Sequence, residues 1–235
     1  VQLWSLFKYL CDFWKKLRLK KVFIYIYIII LIITYEIILE MKKLTLSNLL
    51  QKKSVNKEPE VILIGNRIPK DYFITKGAGE SNITIHAGSY HLALREAGIE
   101  MVNIMTYSSI LPKVANKINK PGNIEHGAVM ETIMAVSNGN KGERLSAGII
   151  YGWLYDRESG NKYGGLVCEH SGNFSEEELN NKLEASINEL YYDGYEDKYS
   201  LKDIEIVTKS FVPEKEYGTA LVALCFTNYI VPKLN

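Results

Sequence analysis

A chain of 235 residues, 47% hydrophobic and 23% charged, is long enough to bury a sizeable core and too apolar to be disordered. Its 28 basic and 27 acidic residues leave a formal charge of +1, and no basic run lies beyond the N-terminal segment, so there is no electrostatic footprint for nucleic acid. Three cysteines, Cys11, Cys168 and Cys225, stand far apart without metal-ligand spacing, which argues against a disulfide framework and a structural zinc site and suits a reducing cytoplasm.

Residues 1–40 differ from the rest. Lys8, Lys15, Lys16, Arg18, Lys20 and Lys21 face only Asp12, Glu36 and Glu40, and the segment runs into "VFIYIYIIILIITYEIIL". A basic flank before an apolar run is the pattern of a signal anchor. The uncharged stretch from Val22 to Tyr35 is 14 residues, however, short of the roughly 20 that span a bilayer. The first methionine is Met41, opening "MKKLTLSNLL", and Lys, Ile and Tyr enrichment is what translated AT-rich upstream DNA looks like. Residues 1–40 are therefore read as a mis-assigned N-terminal extension rather than a membrane anchor, and set aside in fold reasoning. From Met41 to Asn235 there remain 22 basic and 24 acidic residues, a formal charge of −2.

Residues 41–60 are polar and lysine-rich and read as a flexible lead-in to a domain over 61–235. "VILIG" (Val61 to Gly65) has the form of a short buried strand, and "TKGAGESN" (Thr75 to Asn82) that of a glycine-punctuated loop. "GAGES" lacks the lysine and hydroxyl residue of a phosphate loop, so no nucleotide site is assigned to it. From His86 to Ala97, Tyr90, Ala93, Leu94 and Ala97 fall at helical spacing and Gly98 supplies the stop. "IEMVNIMTY", "GAVMETIMAV", "AGIIYGWLYD" and "YGGLVCEH" follow as strands, separated by Asn/Gly/Asp/Ser clusters.

The clearest helix is Ser175 to Tyr192. Ser175 and Glu178 form a capping box, Glu176 and Glu177 complement the helix dipole, and Leu179, Leu183, Ile187 and Leu190 make one apolar face ended by Gly194. "IEIVTKSFV" and "TALVALCFTNYI" are two further strands. Many strands and few helices predict an α+β fold with helices packed on mainly antiparallel sheets.

Four features would carry chemistry if the fold brings them together: Asn103, the pair Ser108-Ser109, Glu169 and the glycine loop at Gly77 to Ser81. Asn103 sits in an apolar strand, where its amide needs a hydrogen-bond partner. Glu169 ends the apolar run "GGLVC"; if it is buried there, desolvation would favour the protonated carboxyl and let it carry a proton. His126 reads as a structural histidine, Cys168 and Cys225 as core, and His170 as a neighbour of Glu169.

Taken in order, "GAGESN", "YHLALREAGIEMVNIMTYSSILP", "EHGAVMETIMA", "YGGLVCEH" and "YGTALVALCF" resemble the pyruvoyl-dependent arginine decarboxylases, with "HGAV" closest to the branch found in chlamydiae. The resemblance covers nearly all of Val61 to Tyr229. It implies that Ser109 attacks the carbonyl of Ser108, that the chain splits at 108/109 into a β-chain and an α-chain, and that residue 109 becomes a covalent pyruvoyl group. Asn103 is implied as the side-chain donor to the oxyanion, and Glu169 as the proton donor in decarboxylation, which proceeds through a Schiff base with the substrate amine. Pro112 helps fix the turn. Tyr90, His91 and Val102 fall at substrate-binding positions.

The implied fold is a layered αββα sandwich, assembled as a trimer of αβ protomers with active sites between neighbours. The implied partner is a small amino acid in the cytoplasm, with no metal, no nucleic acid and no membrane. One departure stands out: where the family carries an aspartate that holds the guanidinium, this chain has His91, which cannot make the same bidentate pairing. Arginine giving agmatine is the leading reaction. The alternatives are a pyruvoyl decarboxylase for another amino acid, or an uncleaved, non-catalytic trimeric relative. Glu96 and Glu100 are the nearby carboxylates in sequence.

Overall fold

The computed structural model describes residues 2–16, 20–52 and 63–234, which divide into two units, Val1–Val61 and Ile62–Asn235. The first unit holds α1 (Gln2–Lys16) and α2 (Lys20–Lys52). Within α2, Ile24–Thr45 is a 22-residue stretch long and apolar enough to cross a membrane, and none of it is buried. The helix continues through Glu36 and Glu40, so the apolar character extends beyond the charge-free run. Residues 41–52, expected as part of a flexible lead-in, are a continuation of α2, because "LTLSNLL" carries no glycine or proline to stop it. Residues 53–60 lie outside the described residues.

The second unit contains β1 (Ile68–Pro69), β2 (Asp71–Ser81), a π-helical turn (Ile85–Tyr90) running into α3 (His91–Ala97), β3 (Asn103–Thr106), β4 (Ile110–Pro112) and β5 (Asn116–Lys117). It continues with β6 (Val129–Asn140), β7 (Leu145–Asp156), β8 (Lys162–Gly172), α4 (Glu176–Gly194), β9 (Tyr199–Phe211), β10 (Tyr217–Phe226) and β11 (Tyr229–Ile230). One sheet has the order β3-β6-β10-β2-β5 and a second the order β4-β8-β7-β9; β1 and β11 form a small ribbon. Pairing is antiparallel except for β3 with β6 and β2 with β5.

Strand alternation sorts the core into three layers. Ala220, Val222, Leu224 and Phe226 of β10 meet Ala147, Ile149, Tyr151 and Trp153 of β7 between the sheets. On the other face of β10, Leu221, Ala223 and Cys225 pack against Ala93, Leu94 and Ala97 of α3. On the other face of β7, Ile150 and Leu154 pack with Leu179, Leu183 and Ile187 of α4. The order α3, sheet, sheet, α4 is the expected αββα sandwich. β7 is buried from Leu145 to Leu154 because both its faces are covered.

The capping box of Ser175 and Glu178 forms in both directions, at 3.2 and 2.8 Å, and starts α4. Leu179, Leu183 and Ile187 are fully buried, each stabilising the fold by roughly 2 kcal/mol. Leu190, expected on the same face, is exposed. At that end of the helix Tyr191 takes over the packing against the same layer.

Two further segments depart from expectation. "TKGAGES" is not a loop but the second half of β2, an interior strand. Its glycines serve close packing: a Cβ on Gly77 would lie 2.1 Å from the Ala93 carbonyl oxygen, and one on Gly79 2.3 Å from that of Ser89. Leu63 and Ile64, read as part of a buried strand, are exposed and form a single bridge, Ile64 to Lys233, since only the chain's C-terminal segment lies beside them. Val61 and Ile62 of that run lie outside the described residues. Gly98 ends α3 in the left-handed region, at φ +68°, as expected.

Candidate active site

β3 is the edge of the first sheet and β4 the edge of the second, so Tyr107, Ser108 and Ser109 form the crossing between layers. The crossing is pinned on both sides. The Tyr107 N–H donates to the Thr132 carbonyl at 2.7 Å, and the Val167 N–H donates to the Ser109 carbonyl at 3.2 Å. Between them the Ile110 N–H donates to the Ser108 carbonyl at 2.9 Å, closing a three-residue turn centred on Ser109. Asp203 is the one non-glycine residue of positive φ among the described residues, so the turn is tight without left-handed backbone.

β4 pairs with β8 in the register Ile110 to Leu166, which brings Glu169 alongside. The Ser109 hydroxyl donates to the Glu169 carboxylate, its Oγ lying 2.5 Å from Oε1 and 2.7 Å from Oε2. Both side chains are partly buried. They line a cleft of about 450 Å³ with Val167, Cys168 and His170 of β8 and Ser186, Glu189, Leu190 and Asp193 of α4. His170 Nε2 and Ser186 Oγ lie 2.8 Å apart, joining the two walls. Burial, with the neighbouring Glu169 charge, pushes the Cys168 thiol up to about 11.

The serine pair and Glu169 are thus brought together as expected. Asn103 is exposed on β3, and its Nδ2 donates to the Gly127 carbonyl at 3.0 Å. Tyr90 packs in the layer under α3, its hydroxyl 3.9 Å from Met134 Sδ and held above its ordinary range by burial. Val102 is buried in the same layer. His91 is exposed at the first position of α3. None of these four lines the cleft. His126, read as structural, is exposed in the turn before β6, while Cys168 and Cys225 are core as expected.

The sequence reading missed the Ile110 N–H, a backbone donor with no side-chain signature, and the α4 wall of the cleft. Nothing along the chain signals that wall, since the spacing of Leu190 reads as a continuation of the buried face of α4.

The family described as pyruvoyl-dependent arginine decarboxylase (PvlArgDC) matches residues 71–231. A pyruvoyl-dependent arginine decarboxylase of Thermoplasma volcanium is 28% identical over 155 residues, covering 60% of this chain and 83% of the relative. One of Picrophilus torridus is 29% identical over 161 residues, 62% of this chain and 85% of the relative. One of Methanococcoides burtonii is 37% identical over 114 residues, 47% of this chain and 60% of the relative. With the αββα layering and the serine pair beside Glu169, these matches lead to one conclusion: the chain belongs to the pyruvoyl-dependent arginine decarboxylase family.

Proposed function

We propose that this chain is a self-processing, pyruvoyl-dependent carboxy-lyase that converts arginine to agmatine and carbon dioxide. The observation that carries the reading is the hydrogen bond from Ser109 Oγ to Glu169 in a tight turn between two sheets.

In maturation Glu169 takes the Ser109 hydroxyl proton and Oγ attacks the carbonyl carbon of Ser108, turning the peptide bond into an ester. The Ile110 N–H, already on the Ser108 oxygen, steadies the charge that develops there. Asn103 is proposed as a second donor: one of its amide hydrogens is engaged by Gly127, leaving the other for that oxygen. Elimination frees the Ser108 carboxylate, and addition of water to residue 109 with loss of ammonia leaves the pyruvoyl ketone. The halves stay together because β3 and β4 are hydrogen-bonded to different sheets.

The site fits such a group, since residue 109 faces the cleft and touches Glu169. A pyruvoyl carbonyl supplies an electrophile for the substrate amine and an electron sink as carbon dioxide leaves. Glu169 then returns a proton to the α-carbon, the β8 wall orients the substrate, and buried Cys168 and Val167 keep water from that side.

Further parts of the reading are a trimer of αβ protomers with neighbours completing each site, which suits the exposure of His91 and Asn103, and a cytoplasmic location, which suits three free cysteines. Cell fractionation checks the location: full-length chain in the membrane pellet would mean that α2 anchors it.

Intact mass of the purified protein tests the central claim. Two fragments divided between 108 and 109, the second blocked to Edman sequencing and reactive to hydrazine, are expected. A single unbroken chain overturns the reading.

A further inference from the structure

The cleft that holds Ser109 and Glu169 has an acidic far wall on α4. Resting on the function proposed above, we infer that Glu189 and Asp193 of α4 hold the cationic end of the substrate.

Both residues line the same cleft as Ser109 and Glu169. They sit four positions apart, so they project from one face of the helix. Neither has an ion-pair or hydrogen-bond partner among the described residues, whereas Glu96, the nearer candidate in sequence, is paired with Lys209 at 2.6 Å and accepts the Ala78 N–H at 3.1 Å. Neither Glu96 nor Glu100 lines the cleft.

The spacing suits a long side chain. Ser186, bonded to His170 beside Glu169, marks the level of the reacting residues on α4. At 1.5 Å per residue, Glu189 lies about 4.5 Å and Asp193 about 10.5 Å further along the helix axis, within reach of a three-methylene chain ending in a guanidinium.

The walls between agree with that ligand. Leu190, exposed between the two acids, and Cys168, more than nine-tenths buried and without a hydrogen-bond partner among the described residues, offer an uncharged surface for methylenes. No lysine or arginine lines the cleft, and Glu169, Glu189 and Asp193 give it a negative field that favours a cation and disfavours neutral or acidic amino acids. Two carboxylates on one helix present the acceptors that a planar, five-donor guanidinium uses.

The test is agmatine binding, measured by calorimetry on the purified full chain. Agmatine carries the guanidinium but no carboxylate, and its binding needs no turnover. The double variant Glu189→Gln/Asp193→Asn is expected to bind at least about tenfold more weakly than the unmodified chain, with an unchanged circular dichroism spectrum and unchanged cleavage at 108/109. In the cleaved enzyme the same variant raises KM for arginine by a similar factor and moves kcat far less, a split that a merely structural role does not produce. Equal agmatine affinity in the two proteins, or no binding by the unmodified chain, overturns the inference while leaving cleavage and turnover as separate readouts of the parent reading. Conversely, weakened agmatine binding in a chain that never cleaves supports the acidic subsite and removes the decarboxylase reading.

Discussion

The Ser109 hydroxyl donates to the Glu169 carboxylate across the gap between β4 and β8, with Oγ 2.5 and 2.7 Å from the two oxygens. In the mechanism proposed above, this one contact serves two stages. Before cleavage the carboxylate faces the hydroxyl that must lose a proton, and afterwards it faces the residue made from that hydroxyl, where a proton must be returned. A glutamine at 169 fills the same space but cannot carry a proton. Glu169→Gln is therefore expected to slow cleavage and to lower kcat of the matured fraction by about a hundredfold or more, with little change in unfolding midpoint. Mass spectrometry over time and steady-state kinetics on the cleaved fraction check this; full retained activity removes the assignment.

β2 lies against α3 with no room for a side chain at two positions, since a Cβ at Gly77 would approach the Ala93 oxygen to 2.1 Å. Backbone cannot yield as a flexible side chain can. Gly77→Ala is expected to destabilise the domain by about 2 kcal/mol or more in urea unfolding. Gly122→Ala, with nothing within 4 Å of its added carbon, serves as the near-neutral control.

Glu131 is 2% exposed on β6, one residue from the Thr132 carbonyl that anchors Tyr107, and it is ion-paired with Arg67, whose side chain is about half exposed. Neither carboxylate oxygen has a further hydrogen bond. Arg67→Met leaves a buried charge uncompensated and is expected to cost about 3 kcal/mol, whereas Arg67→Met/Glu131→Leu removes the charge and recovers most of the loss. Equilibrium unfolding of both variants provides the comparison; equal stability of the two contradicts the argument.

Acid weakens the contact between α3 and β9. Burial pushes Glu96 up, but the Lys209 ammonium and the Ala78 N–H outweigh it and hold the carboxyl below its ordinary value of 4.5. Glu205, joined to Lys117 and Tyr151, is lowered in the same way. A carboxyl lowered in the folded state contributes stability that is present above the unfolded value and is lost as pH falls through the folded one. The melting temperature is expected to decline as pH drops below about 4.5, and Lys209→Met to flatten that decline. A slope unchanged in the variant counts against Glu96 as a contributor.

Local pattern alone determined much of this protein. Residues at helical spacing between His86 and Ala97, the capping box at Ser175 and the apolar runs of β6, β7, β8 and β10 were legible because their neighbours in sequence are also their structural context. Ser109 and Glu169 stood out as candidates through the order of five segments rather than through any property of either residue. Tertiary structure decided the rest. Gly77 and Gly79 look like a loop until α3 is laid on them, since a glycine that admits a helix and one that permits a turn read alike in sequence. The Ile110 N–H and the α4 wall depend on how β4, β8 and α4 converge, and no spacing along the chain encodes that. The Ser108–Ser109 peptide lies between two sheets because β3 and β4 pair with partners far away in the chain, a long-range choice made by burial of three packed layers at once.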